Sequence, residues 1–113
     1  MLLNNGKYKG QQILSEASVA ALRKIQTANV PMNDVPKAAT GWQYALGAWA
    51  VESNGGNATV LTSPSLAGTW PVVDFCRNYA FVLFTKNVSG EQKRDQYEDL
   101  KKLVDANFSS SCK

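Results

Sequence analysis

Residues 58–86 constrain the fold more than any other part of the chain, because they contain three short apolar runs separated by turn-forming residues. The runs are residues 58–62 (ATVLT), 68–74 (GTWPVVD) and 79–86 (YAFVLFTK). Runs of this length that are rich in β-branched and aromatic residues are typical of β-strands. The run 79–85 is apolar at nearly every position, which predicts a central strand covered on both faces.

A further strand is predicted upstream of these three. Large and small residues alternate over residues 42–49 (WQYALGAW), which is the periodicity of a strand. The Asn-Gly-Gly-Asn sequence at 54–57 is a strong turn signal, so we expect this strand to form a hairpin with residues 58–62. The sequence therefore predicts an antiparallel sheet of about four strands.

Two helices are predicted on either side of the sheet segment. Ser15 is suited to cap a helix that ends before Pro31. After the sheet, Ser89 and Gln92 have the spacing of a capping box. The helix that follows is predicted to bury one apolar stripe and to expose a charged face. The stripe consists of Tyr97, Leu100, Leu103, Val104 and Phe108.

Composition and charge exclude several functional classes. The chain has 113 residues, which is enough for one domain. Its net charge is +3 with the basic residues scattered, so no nucleic-acid-binding face is predicted. No apolar run approaches the roughly 20 residues of a transmembrane helix, and no secretory signal is recognisable. Histidine is absent, which excludes catalysis or metal binding by histidine in this chain. No metal site and no cofactor are expected.

The two cysteines, Cys76 and Cys112, have two interpretations. From their number alone they would be free thiols. The last strand and the last helix, however, have similar predicted lengths of roughly 26 Å and 28 Å. A helix that folds back across the sheet would bring Cys112 to the start of the strand, next to Cys76. The resulting disulfide would indicate an oxidising compartment.

Three Asn-X-Ser/Thr sequons occur, at Asn57, Asn87 and Asn107. They are either acceptors for glycosylation or turn-forming asparagines that happen to lie near abundant Ser and Thr. Ser63 and Ser65 lie in a loop beside a proline-containing strand, where they form either a polar turn or part of a binding groove. The one S-x-x-K spacing, from Ser110 to Lys113, follows the predicted last helix instead of lying on a helix, so no catalytic residue is predicted.

The order of these elements resembles the C-terminal part of serine beta-lactamase-related hydrolases, the group of class C beta-lactamases, penicillin-binding proteins and related esterases. Residues 1–19 resemble the end of their helical subdomain, and YALGAW at 44–49 is similar to their Y-G-L-G-x-W strand. Residues 68–74 (GTWPVVD), followed by residues 78–82, resemble their G-T-x-P-x-x-D turn into the last strand.

The resemblance implies an α/β fold of the α+β type, a partial beta-lactamase or transpeptidase-like fold. Residues 1–40 would be a remnant of the helical subdomain with its connection, and residues 41–113 the antiparallel sheet with a C-terminal amphipathic helix on one face. It also implies an extracytoplasmic location. About the first two-thirds of the parent protein, with the nucleophile of S-x-x-K and the tyrosine of Y-x-N, would be missing.

The third family motif, K-T-G or H-x-G, should occupy the strand before Gly68. Thr62-Ser63-Pro64 stands there, or Ser63-Pro64-Ser65 if the register shifts. By the resemblance, Thr62, Ser63, Ser65 and Gly68 would contact substrate, but the cation of the motif is absent.

The resemblance leads to two functional hypotheses. The chain is either the C-terminal portion of a serine hydrolase, inactive alone, or a non-catalytic binding or structural module derived from that fold. Its partner would be the remainder of a parent hydrolase, or a second copy held through exposed apolar surface.

Overall fold

The computed structural model describes residues 1–65, 67–86 and 93–112. In chain order its elements are β1 (Lys7–Tyr8), β2 (Gln11–Gln12), α1 (Glu16–Arg23), β3 (Gln43–Tyr44), β4 (Trp49–Asn54), β5 (Asn57–Thr62), β6 (Thr69–Asp74), β7 (Tyr79–Phe84) and α2 (Arg94–Asp105). Short 3-10 turns occupy Leu2–Asn4 and Lys37–Ala39. Strands β1 and β2 form a small hairpin, and β3 to β7 form an antiparallel sheet in sequential order. The predicted α+β class is confirmed.

The main sheet has five strands rather than about four, because the predicted strand at 42–49 is divided into β3 and β4. The chain reverses between them, where the Ala45 amide donates to the Ala48 carbonyl at 2.9 Å. Gly47 supplies the positive φ of 80° that this tight turn requires. The expected hairpin across residues 54–57 is present as the pair β4 and β5.

The prediction that residues 79–85 form a central strand is wrong for the described part of the chain. Strand β7 lies at the edge of the sheet. The side chains of Val82 and Phe84 are 59% and 84% exposed. The strand with both faces buried is β5, where residues 58–62 are all buried between β4 and β6. An apolar run indicates that a strand can be covered, but it does not identify what covers it.

Helix α2 packs on one face of the sheet. Tyr97 of α2 joins a core that includes Val60, Trp70, Val72 and Tyr79. The ring of Trp70 stacks on Tyr97 at a centroid distance of 4.3 Å. Burial of aromatic side chains of this size is the main stabilising contribution of such a core.

The predicted orientation of α2 is only partly correct. Tyr97 is buried, but Leu103 is 68% exposed, whereas Lys101, predicted to lie on the solvated face, is only 8% exposed. Lys101 turns inward because carboxylates lie beneath the helix. The predicted capping box of Ser89 and Gln92 lies outside the described residues.

Helix α1 packs on the opposite side of the sheet. Ser15 caps it as predicted, since its hydroxyl accepts from the Ser18 amide at 3.0 Å. The chain after α1 continues along the sheet, where Ile25 is buried with Ala58 and Leu61 in a second core. The part of residues 1–40 that begins at α1 therefore contacts the sheet through α1 and the segment that follows it.

Candidate functional site

A small apolar pocket lies at the end of β5, where the resemblance placed the substrate-binding residues. We call it the β5–β6 pocket. Its volume is about 120 Å³. It is lined by Leu2, Ala48, Leu61, Thr62, Ser63, Pro71 and Val73. Among the described residues, no ionisable side chain lines this pocket.

Thr62 and Ser63 are the two hydroxyl-bearing residues that line the pocket, and they differ in their surroundings. Thr62 is only 2% exposed, and its hydroxyl donates to the Pro71 carbonyl at 2.7 Å. Ser63 is exposed. The Thr62 hydroxyl thus joins β5 to β6, whereas Ser63 is the solvent-exposed member of the pair.

Ser65 and Gly68 have a different role from Thr62 and Ser63, because they close the turn between β5 and β6. The Gly68 amide donates to the Ser65 carbonyl at 3.0 Å, and the Ser65 hydroxyl accepts from the Ala67 amide at 3.2 Å. The Gly68 carbonyl accepts from both the amide and the hydroxyl of Thr85. These two residues shape the loop, and neither lines the β5–β6 pocket.

Replacing Thr62 by valine should lower the free energy of unfolding by about 1 to 3 kcal/mol, because a buried carbonyl loses its donor. Urea denaturation monitored by circular dichroism measures this change. Ser63→Ala is the matched control, since it removes an exposed hydroxyl from the neighbouring residue, and we expect it to leave stability unchanged. Equal stabilities of the two variants would contradict the different roles given to these hydroxyls.

The β5–β6 pocket continues into an uncovered apolar surface on the same face of the sheet. Pro71 is paired with Val82 and Val73 with Ala80, and residues directly opposite in neighbouring strands share a face. Ala80, Val82 and Phe84 are all exposed. We call these three residues the β7 patch.

A disulfide joins Cys76, which follows β6, to Cys112, which follows α2. The two Cα atoms are 5.1 Å apart. Ser111 supports the link, since its amide and its hydroxyl each donate to the Cys76 carbonyl at 2.7 Å. The interpretation as a disulfide therefore describes this chain, and the interpretation as free thiols does not.

A buried ionic cluster lies beside the disulfide, under α2. Asp74 is fully buried and accepts from the Arg77 side chain at 2.8 Å. Lys101 of α2 contacts Asp74 at 3.5 Å, Asp105 at 2.8 Å and Glu52 of β4 at 3.0 Å. The pairing of Asp74 with Arg77 follows from their spacing in sequence, but the inward orientation of Lys101 was not predicted. The one feature of the sequence that points to an ion pair of Lys101 is its four-residue spacing from Asp105 on the same helix.

The pKa values in this cluster favour the charged forms of its ion pairs. Burial alone would lower the pKa of Lys101, but hydrogen bonds to Asp105 and Glu52 raise it above its ordinary value. Burial would raise the pKa of Asp105, but hydrogen bonds from Lys101 and Tyr79 lower it. The hydrogen bond to Asp74 raises the pKa of Arg77. The charged forms of Lys101, Asp105 and Arg77 are therefore favoured, and the cluster links β4, β6 and α2.

Two of the three sequons can be located. Asn57 is exposed at the start of β5, and Asn107 is exposed just after α2. Asn87 lies outside the described residues. Within the described residues, no cluster of three or more acidic or cysteine side chains is suited to hold a metal ion. None of the helices that the structure describes combines the length and the apolar character needed to cross a membrane.

Comparison with known proteins bears on the fold. No protein-family model matches the sequence, and the search of curated proteins finds no match. Among solved structures, the chain is similar to a "putative beta-lactamase from Bacteroides dorei DSM 17855", with a TM-score of 0.71 and 22% sequence identity. The similarity covers 93% of this chain and 37% of that chain. The described structure thus has the fold of part of a beta-lactamase-like protein.

Proposed function

We propose that the chain is the C-terminal portion of a beta-lactamase-related serine hydrolase, that its β5–β6 pocket lines part of the substrate groove, and that it is inactive alone. The observation that carries this proposal is the composition of the pocket. Its lining is almost entirely apolar and contains no ionisable group that could activate Ser63. A serine becomes a nucleophile only when a neighbouring base removes its proton. Another part of the protein must therefore supply the catalytic groups.

The uncovered surface of the sheet supports the same proposal. Strand β7 has no paired neighbour on one side in the described chain, and it contains neither a charged residue nor a proline. Edge strands of this kind are normally blocked or covered, because they pair readily with other strands. We propose that the remainder of a parent hydrolase covers the β7 patch. The similar solved chain has ample additional length for this role, since the likeness spans only 37% of it.

The disulfide supports an extracytoplasmic location for this protein. Stable structural disulfides form and persist in oxidising compartments such as the periplasm and the extracellular space. The Cys76–Cys112 link is of this structural kind, because it fixes the end of α2 to the turn after β6.

A non-catalytic binding or structural module is the second candidate function. It is favoured by the sequence Thr62-Ser63-Pro64 at the position of the family's K-T-G or H-x-G motif. Thr62 uses its hydroxyl within the sheet, and Pro64 has no amide proton to donate. Neither residue replaces the missing cation. In this case, self-association through the β7 patch would cover the apolar surface.

Hydrolysis assays of two proteins distinguish these candidates. The purified 113-residue chain, given p-nitrophenyl acetate or nitrocefin, should release product no faster than buffer does. A protein extended with its upstream coding sequence should hydrolyse the ester, and replacing the serine of its S-x-x-K motif by alanine should abolish that activity. Turnover by the 113-residue chain itself would refute the first candidate. An upstream sequence without S-x-x-K and Y-x-N would favour the second.

A further inference from the structure

A groove lined by both polar and apolar groups lies at the opposite end of β5 from the β5–β6 pocket, between α1, the β4–β5 hairpin and the disulfide. It consists of two adjoining depressions of about 370 Å³ and 490 Å³ that share Asn54, Thr59 and Cys112. Ala20, Arg23 and Asn57 complete the first depression. Glu52, Ser53, Cys76 and Ser110 complete the second. The groove is large enough for a ligand of the size of an amino acid or a monosaccharide.

Arg23, the last residue of α1, is held rigidly at one end of this groove. Its Nε donates to the Ala58 carbonyl at 3.0 Å, and its guanidinium carbon lies 4.1 Å from the centre of the Phe75 ring. These contacts fix the plane of the guanidinium and use only one of its nitrogens. The two terminal nitrogens form the fork that binds planar oxyanions.

Arg23 lacks an acidic partner among the described residues, in contrast to three other cations that the sheet and α2 partly or fully bury. Arg77, Arg94 and Lys101 each form an ion pair. Burial lowers the pKa of Arg23, because desolvation disfavours a cation that no carboxylate compensates. A partly buried cation without a counter-ion is the arrangement that an anionic ligand would stabilise.

Thr59 provides a second polar group for a ligand. Its side chain lines both depressions, and the described residues offer its hydroxyl no hydrogen-bond partner. Every fully buried side-chain nitrogen or oxygen of the described residues has a hydrogen-bond partner. Because the Thr59 hydroxyl has none, it is not fully buried, and the space open to it is the groove. Thr59 and Arg23 therefore present donors to the same space.

We propose that this groove binds a small organic carboxylate. The terminal nitrogens of Arg23 would donate to the carboxylate group, and the Thr59 hydroxyl and the Asn57 side chain would hydrogen-bond the remaining polar groups of the ligand. A monoanion suits the groove better than a phosphate dianion, because a single guanidinium lines it. The site is separate from the β5–β6 pocket. It does not depend on the proposed hydrolase function.

Titration of the oxidised 113-residue chain with acetate, glycerate, gluconate and inorganic phosphate, at constant ionic strength, tests this proposal by amide chemical shifts. At least one carboxylate should bind saturably and more tightly than phosphate, with shifts concentrated at Arg23, Asn57 and Thr59. Arg23→Gln should weaken binding about tenfold or more, and Thr59→Val about two- to tenfold. Lys102→Gln is the matched control, since it removes a positive charge from an exposed part of α2 and should leave the affinity unchanged.

Three results would overturn the proposal. They are the absence of saturable binding by every carboxylate, binding of phosphate as tight as that of the carboxylates, and an unchanged affinity in folded Arg23→Gln. If circular dichroism shows that Arg23→Gln is unfolded, Thr59→Val decides the question. The Thr59 hydroxyl has no partner within the described fold, so its loss should affect the ligand and not the structure.

Discussion

Replacing Asp74 by alanine should lower the free energy of unfolding by about 3 to 5 kcal/mol, which is the typical cost of removing one partner from a buried ion pair. Asp74 has no exposed surface, and one carboxylate oxygen accepts from the Arg77 amide at 2.8 Å. The other oxygen contacts the side chains of Arg77 and Lys101. The variant loses all of these contacts and leaves two cations under α2 with less compensating charge.

Urea denaturation at neutral pH measures this change, with two comparisons. Asp74→Asn keeps an acceptor for the Arg77 amide, so we expect a smaller loss than with alanine. Asp99→Ala removes an exposed carboxylate of α2 that pairs with Lys102 at 2.8 Å. We expect it to change stability little, because solvent screens exposed pairs. A loss in Asp74→Ala no larger than that in Asp99→Ala would show that the cluster does not hold α2 on the sheet.

Most strands of the main sheet could be predicted from sequence because they have a local signal. Runs of β-branched and aromatic residues indicate β5, β6 and β7, and the Asn-Gly-Gly-Asn turn specifies the β4–β5 hairpin. The break between β3 and β4 was not predicted, since alternation continues through it. Gly47 was its one local sign, and a single glycine is compatible with either a strand or a turn.

The orientation of α2 could not be predicted from its apolar pattern alone. Leu100 and Leu103 favour one buried face, whereas the structure places Lys101 against the sheet. The reason is not local, because the partners of Lys101 include Asp74 of β6 and Glu52 of β4, far away in sequence. Leaving the buried Asp74 carboxylate without a cation would cost more free energy than leaving two leucines exposed, so α2 turns Lys101 toward the sheet.

The candidate substrate-binding residues stay a prediction, and the structure separates them into two groups. The proline-containing strand and the preceding serines indicated the loop at residues 62–65 with Gly68, and Thr62 and Ser63 of this set line a pocket. The structure uses Ser65 and Gly68 within the turn instead. Arg23 was not identified, because its interest depends on its contacts with Ala58 and Phe75, which no spacing in sequence reveals.

Reduction of the Cys76–Cys112 disulfide should lower the free energy of unfolding by about 3 to 4 kcal/mol. The two cysteines are 36 residues apart in sequence, and cross-linking a loop of about this length restricts the unfolded chain by that amount. The loop includes β7 and α2, so the bond also limits how far α2 can separate from the sheet. Urea denaturation with and without dithiothreitol measures the effect on one and the same sequence.

The double variant Cys76→Ala/Cys112→Ser is the control for the reductant. Because the chain has no other cysteine, dithiothreitol should leave the stability of this variant unchanged. The variant itself should resemble the reduced protein, apart from a small cost for the shortened side chain at Cys76, which is only 4% exposed. Ser111 would still donate its two hydrogen bonds to the residue 76 carbonyl, so the tail should remain near the turn after β6. Equal stability of the oxidised and reduced proteins would mean that these hydrogen bonds and the Asp74 cluster hold the C-terminal segment without the disulfide.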